Sequence, residues 1–296
     1  MTQQKGGGRR LLLPAVLVLA AVLFLFRPAG GDVEPTPALT PDPYGNSQAQ
    51  LDPARLAEGV VSFRYTGGEE KRVKVQVTRA GGRDYNYDLA NDGSWETYSL
   101  TDGEGDYTLR VLTQKENGRY TPVYTLEYAL ALTDPKAPFL ASTQFVRYEG
   151  TGAAALAEEL TEEAQSDGEV IGILFDHVAG SLTYDETQAE TVERGYVPHV
   201  DEVLERGEGI CVDYATLLCA MARSRGIPCK LVMGDAGGSY HAWVEVWSGD
   251  GGTVADIPLK EGGWTLLDPT FLSGEPSEEV REFVREPGNY QVKYVY

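Results

Sequence analysis

Apolar and polar residues alternate along residues 58 to 130, in short runs separated by turn-forming residues. The runs centre on Phe63, Val75, Tyr87 and Leu109, and glycine- and asparagine-rich turns lie between them. A period of two indicates half-buried strands, and several such strands in succession are typical of an antiparallel sandwich of the immunoglobulin-like kind. We therefore predict a β-sandwich domain over residues 51–148, acting as a spacer or a ligand-binding module.

After Pro138 the apolar spacing changes from that of strands to that of helices. Helical spacing over 153–164 and 169–179 predicts two helices, and a third is predicted over 210–225, before Gly226. The remaining predicted elements are strands at 229–234, 240–247 and 263–268, a short helix near 277–285 and a strand at 290–296. This order predicts an α+β domain with a small antiparallel sheet over residues 149–296.

An uncharged apolar run at residues 11–26 precedes both predicted domains. Lys5, Arg9 and Arg10 lie before it, and this basic flank predicts that residues 1–10 stay in the cytoplasm while the rest is exported. Extended to residue 27, the run predicts a single-pass membrane anchor with the C-terminal part extracytoplasmic. A signal peptide cleaved near residues 29–31, which would release a secreted protein, is the alternative.

Residues 28–50 contain five prolines among small and polar residues. This composition predicts an extended linker without a core of its own.

The chain is strongly acidic, with 45 Asp and Glu residues against 25 Lys and Arg residues and a net charge of −20. Residues 1–30 hold four of the basic groups and no acidic ones, so residues 31–296 carry a net charge of −24. A surface this negative repels phosphate backbones, so we expect no nucleic-acid partner.

The three cysteines, Cys211, Cys219 and Cys229, lie within 19 residues of one another. A secreted disulfide scaffold would carry a larger, even number spread along the chain. The sequence allows at most one bridge, such as Cys219–Cys229, and leaves open whether it forms. At least one cysteine must be free.

Cys211 is predicted in the first turn of the helix over 210–225, just after Gly207 and Gly209. Unpaired N–H groups and the positive end of the helix dipole favour a reactive thiolate there. On this fragment alone, an ordinary buried cysteine remains the alternative.

His241 begins the second predicted strand of the sheet, and Asp268 ends the third. If these strands pair antiparallel, the two residues lie opposite each other, and the carboxylate can bond one imidazole nitrogen while the other faces a thiol. Cys211, His241 and Asp268 then form a nucleophile, a base and an orienting acid. A zinc site needs three or four closely spaced ligands, and His177 and His199 fall in other segments, so no metal is predicted.

Three segments carry a resemblance to a known family: GEGICVDYATLLCAMARSRGIPCKLVMGD, YHAWVEVW and WTLLDPTF. Together, over roughly residues 155–272, they resemble the core of the transglutaminase-like superfamily. The resemblance implies a papain-like α+β fold with Cys211 as nucleophile, His241 as general base and Asp268 as the group that orients it. Tyr184 is a hypothesis for the oxyanion donor beside the backbone N–H of Cys211, with simple packing as its alternative.

The resemblance implies thiolate attack on a carboxamide followed by acyl transfer, without a cofactor. Water as acceptor gives hydrolysis and a lysine amine gives a cross-link, and the sequence leaves the acceptor open. We expect an extracytoplasmic thiol acyltransferase or hydrolase acting on amide bonds of proteins or cell-wall peptides. A catalytically inactive surface module that keeps the fold for binding or assembly is the alternative, and the intact triad argues against it.

Overall fold

The computed structural model describes residues 44–68, 72–193 and 195–296. The predicted cytoplasmic segment 1–10, the predicted anchor or signal peptide at 11–27 and most of the predicted linker 28–50 lie outside these ranges. Among the helices of the described ranges, none has the length and apolar character needed to cross a membrane. In the described end of the predicted linker, a strand begins at Ala49, which is fully buried.

Seven strands make up the N-terminal part of the described chain. In chain order they are β1 (Ala49–Asp52), β2 (Val60–Tyr65), β3 (Val73–Arg79), β4 (Asp84–Leu89), β5 (Glu96–Ser99), β6 (Gly105–Gln114) and β7 (Tyr120–Leu130).

These strands form two antiparallel sheets, β1-β2-β5 and β4-β3-β6-β7. Every second side chain of β3 is buried, as the alternation predicts. Phe63 of one sheet packs on Tyr124 of the other with ring centroids 6.5 Å apart, and Tyr98 packs on Tyr87 at 4.8 Å. The immunoglobulin-like type of this arrangement stays a prediction.

The C-terminal part alternates helices with strands. Its elements are α1 (Gly152–Leu160), α2 (Asp167–Ser181), β8 (Thr183–Tyr184), α3 (Glu186–Thr191), α4 (Val200–Arg206), β9 (Glu208–Gly209), α5 (Cys211–Ser224), β10 (Cys229–Ala236), β11 (Ser239–Ser248), β12 (Gly252–Val254), β13 (Ile257–Leu259), β14 (Gly263–Leu267), α6 (Glu278–Arg285) and β15 (Tyr290–Val295).

Helix α5 lies at the centre of this part. It packs against β10 and β11, with α1, α2 and α4 around it, and all of residues 212–223 are buried. The sheet beneath it has the strand order β14-β11-β10-β15, with every neighbouring pair antiparallel. The α+β fold predicted for this part is confirmed, with α5 starting at Cys211.

A hairpin of β12 and β13 replaces the plain loop predicted between β11 and β14, and it packs on α2. Its two turn residues, Ala255 and Asp256, both have positive φ. Such a turn suits the twist of a hairpin but is normally built from asparagine and glycine. The sequence therefore lacks the usual signal for it.

The two parts share contacts at the end of β15. Thr101 donates a hydrogen bond to the carbonyl of Val295 at 2.7 Å, and Tyr296 stacks on Phe145 with centroids 4.4 Å apart. The buried guanidinium of Arg223 donates to the carbonyls of Ala141, Cys229 and Tyr296, each at 2.8 Å. One arginine of α5 thereby joins the connecting segment, the sheet and the C-terminal residue.

Candidate active site

Cys211 is the first residue of α5, and a network of hydrogen bonds fixes the start of this helix. The buried carboxylate of Asp213 accepts from the backbone N–H of Ile210 at 2.8 Å and from the hydroxyl of Tyr196 at 2.7 Å. The bond from Ile210 satisfies a donor that the helix start would otherwise leave unpaired. Cys211 is partly exposed, whereas the next 12 residues are buried. Cys211 is therefore the most exposed residue at the start of this helix.

His241 and Asp268 are joined by a hydrogen bond of 2.8 Å between Nε2 and Oδ2. The register differs from the expected one, because Val244 pairs with Leu267, and one further step places Asp268 opposite Trp243. His241 and Trp243 lie two residues apart on one face of β11. His241 and Asp268 are therefore diagonal neighbours on adjacent strands, and their side chains reach across the two-residue difference in register.

Asp268 is completely buried and accepts four hydrogen bonds. Its Oδ1 accepts from the backbone N–H of Thr270 at 3.1 Å and of Phe271 at 2.9 Å. Its Oδ2 accepts from Tyr290 at 3.0 Å as well as from His241. Four donors of this kind stabilise a charged carboxylate away from water.

The imidazole of His241 carries a strongly raised proton affinity. Burial lowers the pKa of this ring, but the charge and hydrogen bond of Asp268, together with the neighbouring Cys211, outweigh burial and raise the pKa to about 10. At neutral pH the ring is therefore an imidazolium.

Cys211 lies close to the same ring, because its side chain is among the causes that raise the pKa of His241. Since Nε2 bonds Asp268, Nδ1 is the ring nitrogen that remains for a partner. The structure thus brings together the three residues predicted from the sequence as nucleophile, base and orienting acid.

Tyr184 lies beside the sulfur as well. Strands β8 and β9 form a short parallel pair in which Tyr184 faces Gly209, two residues before Cys211. Burial raises the pKa of the Tyr184 hydroxyl, and the neighbouring Cys211 raises it further, so the hydroxyl keeps its proton and can donate. Tyr184 is 38% exposed, so part of the residue is open to solvent.

The other two cysteines have no part in this cluster. Cys219 and Cys229 are fully buried and both are free, so the structure has no bridge between them. The thiol of Cys219 donates instead to the carbonyl of Cys229 at 3.2 Å.

Sequence reasoning missed two residues of the site, Phe271 and Tyr290. The ring of Phe271 stacks on the imidazole of His241, with centroids 4.3 Å apart and an interplanar angle of 11°. Phe271 follows Asp268 closely, so its nearness to the site could have been suspected. Tyr290 lies 22 residues beyond Asp268 in another strand, and no local pattern signals their contact.

Part of the chain is similar to known proteins. Residues 154–269 match the model of the transglutaminase-like superfamily. A protein-glutamine gamma-glutamyltransferase of Pseudomonas aeruginosa is 30% identical over 138 residues, which cover 40% of this chain and 18% of that protein. The kyphoscoliosis peptidase of Mus musculus is 28% identical over 124 residues, covering 42% of this chain and 19% of that protein. The chain thus spans less than one fifth of the length of these curated relatives.

Among solved structures, a proposed cysteine protease from Cytophaga hutchinsonii overlaps 88% of this chain and 74% of its own, with a TM-score of 0.42 and 12% identity. The matched segment 154–269 contains Cys211, His241 and Asp268. The segment that is similar to the transglutaminase-like superfamily is therefore the one that holds the three predicted site residues.

Proposed function

We propose that this protein is a cysteine-dependent enzyme that breaks amide bonds of proteins or peptides by acyl transfer through Cys211, His241 and Asp268. The observation that carries the proposal is the 2.8 Å hydrogen bond between the His241 ring and the buried Asp268 carboxylate, with Cys211 close enough to the ring to raise its pKa. The curated relatives named as a glutamine transferase and a peptidase both act at amide-type bonds, which supports the same chemical class.

In the first half-reaction, the Cys211 thiolate attacks the carbonyl carbon of the amide, and the carbonyl electrons move to oxygen. The backbone N–H of Cys211 and the hydroxyl of Tyr184 are our candidates for holding this oxyanion. His241, already protonated, gives its proton to the leaving amine as the C–N bond breaks. A thioester on Cys211 and a neutral imidazole result.

In the second half-reaction, an acceptor attacks the thioester. The neutral His241 ring takes a proton from water or from an amine, the new C–O or C–N bond forms, and the C–S bond breaks. Water gives hydrolysis and a lysine amine gives an isopeptide cross-link. Asp268 remains charged throughout and keeps the ring oriented.

We further propose an extracytoplasmic location, with proteins or cell-wall peptides as substrates. The support lies in residues 1–27, where an apolar run follows three basic residues. The mass of the mature protein tests the mode of export. An intact N-terminus supports an anchor, and a new N-terminus near Asp32 supports cleavage and release.

The activity is tested by incubating the purified protein with a glutamine-containing protein and an amine dye. Incorporated dye indicates cross-linking, and released ammonia or new chain termini indicate hydrolysis. Cys211→Ala should abolish both, and Cys219→Ala should retain activity because that thiol lies buried outside the cluster. Turnover by folded Cys211→Ala would refute the proposal and favour a module that only binds.

A further inference from the structure

We propose that Tyr290 is a positioning residue of this site, holding the Asp268 carboxylate in the orientation that His241 needs, an inference that rests on the proposed function. The hydroxyl of Tyr290 donates to Oδ2 of Asp268 at 3.0 Å, the same oxygen that bonds Nε2 of His241.

Rotation of the carboxylate is restricted from both sides. Oδ1 is held by the backbone N–H groups of Thr270 and Phe271, and Oδ2 is shared by the imidazole and the phenol. Of these four donors, only His241 and Tyr290 bond Oδ2. Without the phenol, the imidazole alone would hold that oxygen. Because Asp268 is fully buried and Tyr290 is 8% exposed, water cannot readily replace the lost donor.

Tyr290 is itself held rigidly. Its backbone pairs with Ala236 at the start of β15. Its ring packs edge-on against the ring of Trp243, with centroids 4.9 Å apart. It also lies tilted against the ring of Phe283 of α6, with centroids 5.6 Å apart. Burial and the charge of Asp268 keep the pKa of Tyr290 above its ordinary value, so the hydroxyl stays protonated and donates.

The hydroxyl also limits how strongly Asp268 acts on the imidazole. A donor on Oδ2 withdraws negative charge from the oxygen that faces His241. Removing it leaves more negative charge on that oxygen, so the imidazolium is better stabilised and loses its proton at higher pH. The titratable groups near the ring include Cys211 from α5, Asp268 after β14 and Tyr290 from β15. Those near its strand neighbours or near Cys211 include Tyr240, Tyr184 and the Asp235–Lys293 ion pair.

Tyr290→Phe tests the inference, because it removes one oxygen and keeps the packed ring. We expect kcat for amide turnover to fall about tenfold with little change in KM, since the lost hydrogen bond is to a charged group. We also expect the alkaline limb of the pH profile for Cys211 alkylation by iodoacetamide to move to higher pH. Tyr107→Phe is the matched control, since this buried tyrosine loses a 2.7 Å bond to the carbonyl of Gly103, far from the site.

A purely structural role for Tyr290 would lower stability in both variants and leave kcat and the alkylation profile unchanged, and this result would overturn the inference.

If Tyr290→Phe does not fold, Phe283→Leu gives a second test, because it loosens the Tyr290 ring and retains the hydroxyl. It should lower kcat by a smaller factor, and unchanged kcat would count against positioning. If Cys211 in the unmodified protein is not selectively alkylated, the proposed function fails, whatever Tyr290 does.

Discussion

The imidazole of His241 lies nearly parallel to the ring of Phe271, with centroids 4.3 Å apart. This stack holds one face of the imidazole, and the hydrogen bond to Asp268 holds its edge. A protonated ring above an aromatic face also gains from the negative potential of that face. The orientation of His241 therefore depends on an apolar contact as well as on a charge.

Phe271→Ala should remove this support without touching a polar group of the site. We expect turnover to fall about tenfold and the free energy of unfolding to fall by about 2 kcal/mol. Phe139→Ala is the control, because this buried ring packs edge-on against Trp264, away from His241. It should lose comparable stability and keep its turnover. Equal losses of activity in both variants would show that stacking is not specific to function.

Tyr184→Phe removes the candidate oxyanion donor. We expect kcat to fall about 100-fold with KM little changed, because the hydroxyl would act mainly in the transition state. Tyr240→Phe is the matched control, since Tyr240 also lies near Cys211. A loss of no more than a few-fold in Tyr184→Phe would exclude the donor role, and a large loss in Tyr240→Phe would transfer it to that residue.

The raised pKa of His241 has a consequence for stability. The pKa of His241 is about 10 in the folded chain and near 6.5 in the unfolded chain, so protonation of the ring stabilises the fold. This contribution is complete below about pH 6.5 and disappears as the pH rises through about 10. Asp268→Asn should therefore lower the free energy of unfolding most near pH 6. The difference from the unmodified protein should shrink steadily toward about pH 10.

Urea denaturation across that range measures the trend. His177→Gln is the control, because burial lowers the pKa of His177 in the folded chain. Its stability difference should not shrink between the two pH values. A constant penalty for Asp268→Asn would mean that the imidazole is neutral in the fold.

Arg223→Met should be among the most destabilising single changes in the chain. It removes the guanidinium donor from the carbonyls of Ala141, Cys229 and Tyr296. The carbonyl of Cys229 still accepts from the Cys219 thiol, and that of Tyr296 from a backbone N–H. We expect a loss of about 3 kcal/mol or more in the free energy of unfolding, and Arg223→Lys should recover only a small part because one ammonium cannot reproduce the planar fork. Arg225→Met, at a partly exposed position on the same helix end, should change stability by about 0.5 kcal/mol or less. Similar losses at both positions would contradict this.

Sequence patterns predicted an element best where its apolar residues recur at a regular spacing and specific residues signal its ends. Helix α5 has a continuous apolar stripe and ends before Gly226, and its observed start at Cys211 agrees with the prediction. Strand β5 was missed because its sequence, ETYS, shows no clear alternation. Helices α3 and α4 are short, and the sequence around them has no apolar stripe long enough to indicate a helix.

Some features of the candidate site could likewise be predicted from the sequence, and others could not. Cys211, His241 and Asp268 could be found because each sits in a recognisable local sequence at the end of an element. The diagonal offset between His241 and Asp268 could not, since register depends on the whole strand pair. Tyr290 could not either, because its contact with Asp268 arises only when β15 adds to the far side of β10.

Strand β15 constrains how the protein can be dissected experimentally. One of its ends carries Tyr290 against Asp268, and the other brings Tyr294 and the following Tyr296 edge-on to the ring of Tyr85, at 5.7 Å in both cases. A fragment trimmed to the superfamily match would lack this strand entirely. One trimmed to begin at residue 149 would leave its tyrosines facing water and prone to self-association. Recombinant work should therefore keep residues 44–296 as a single piece.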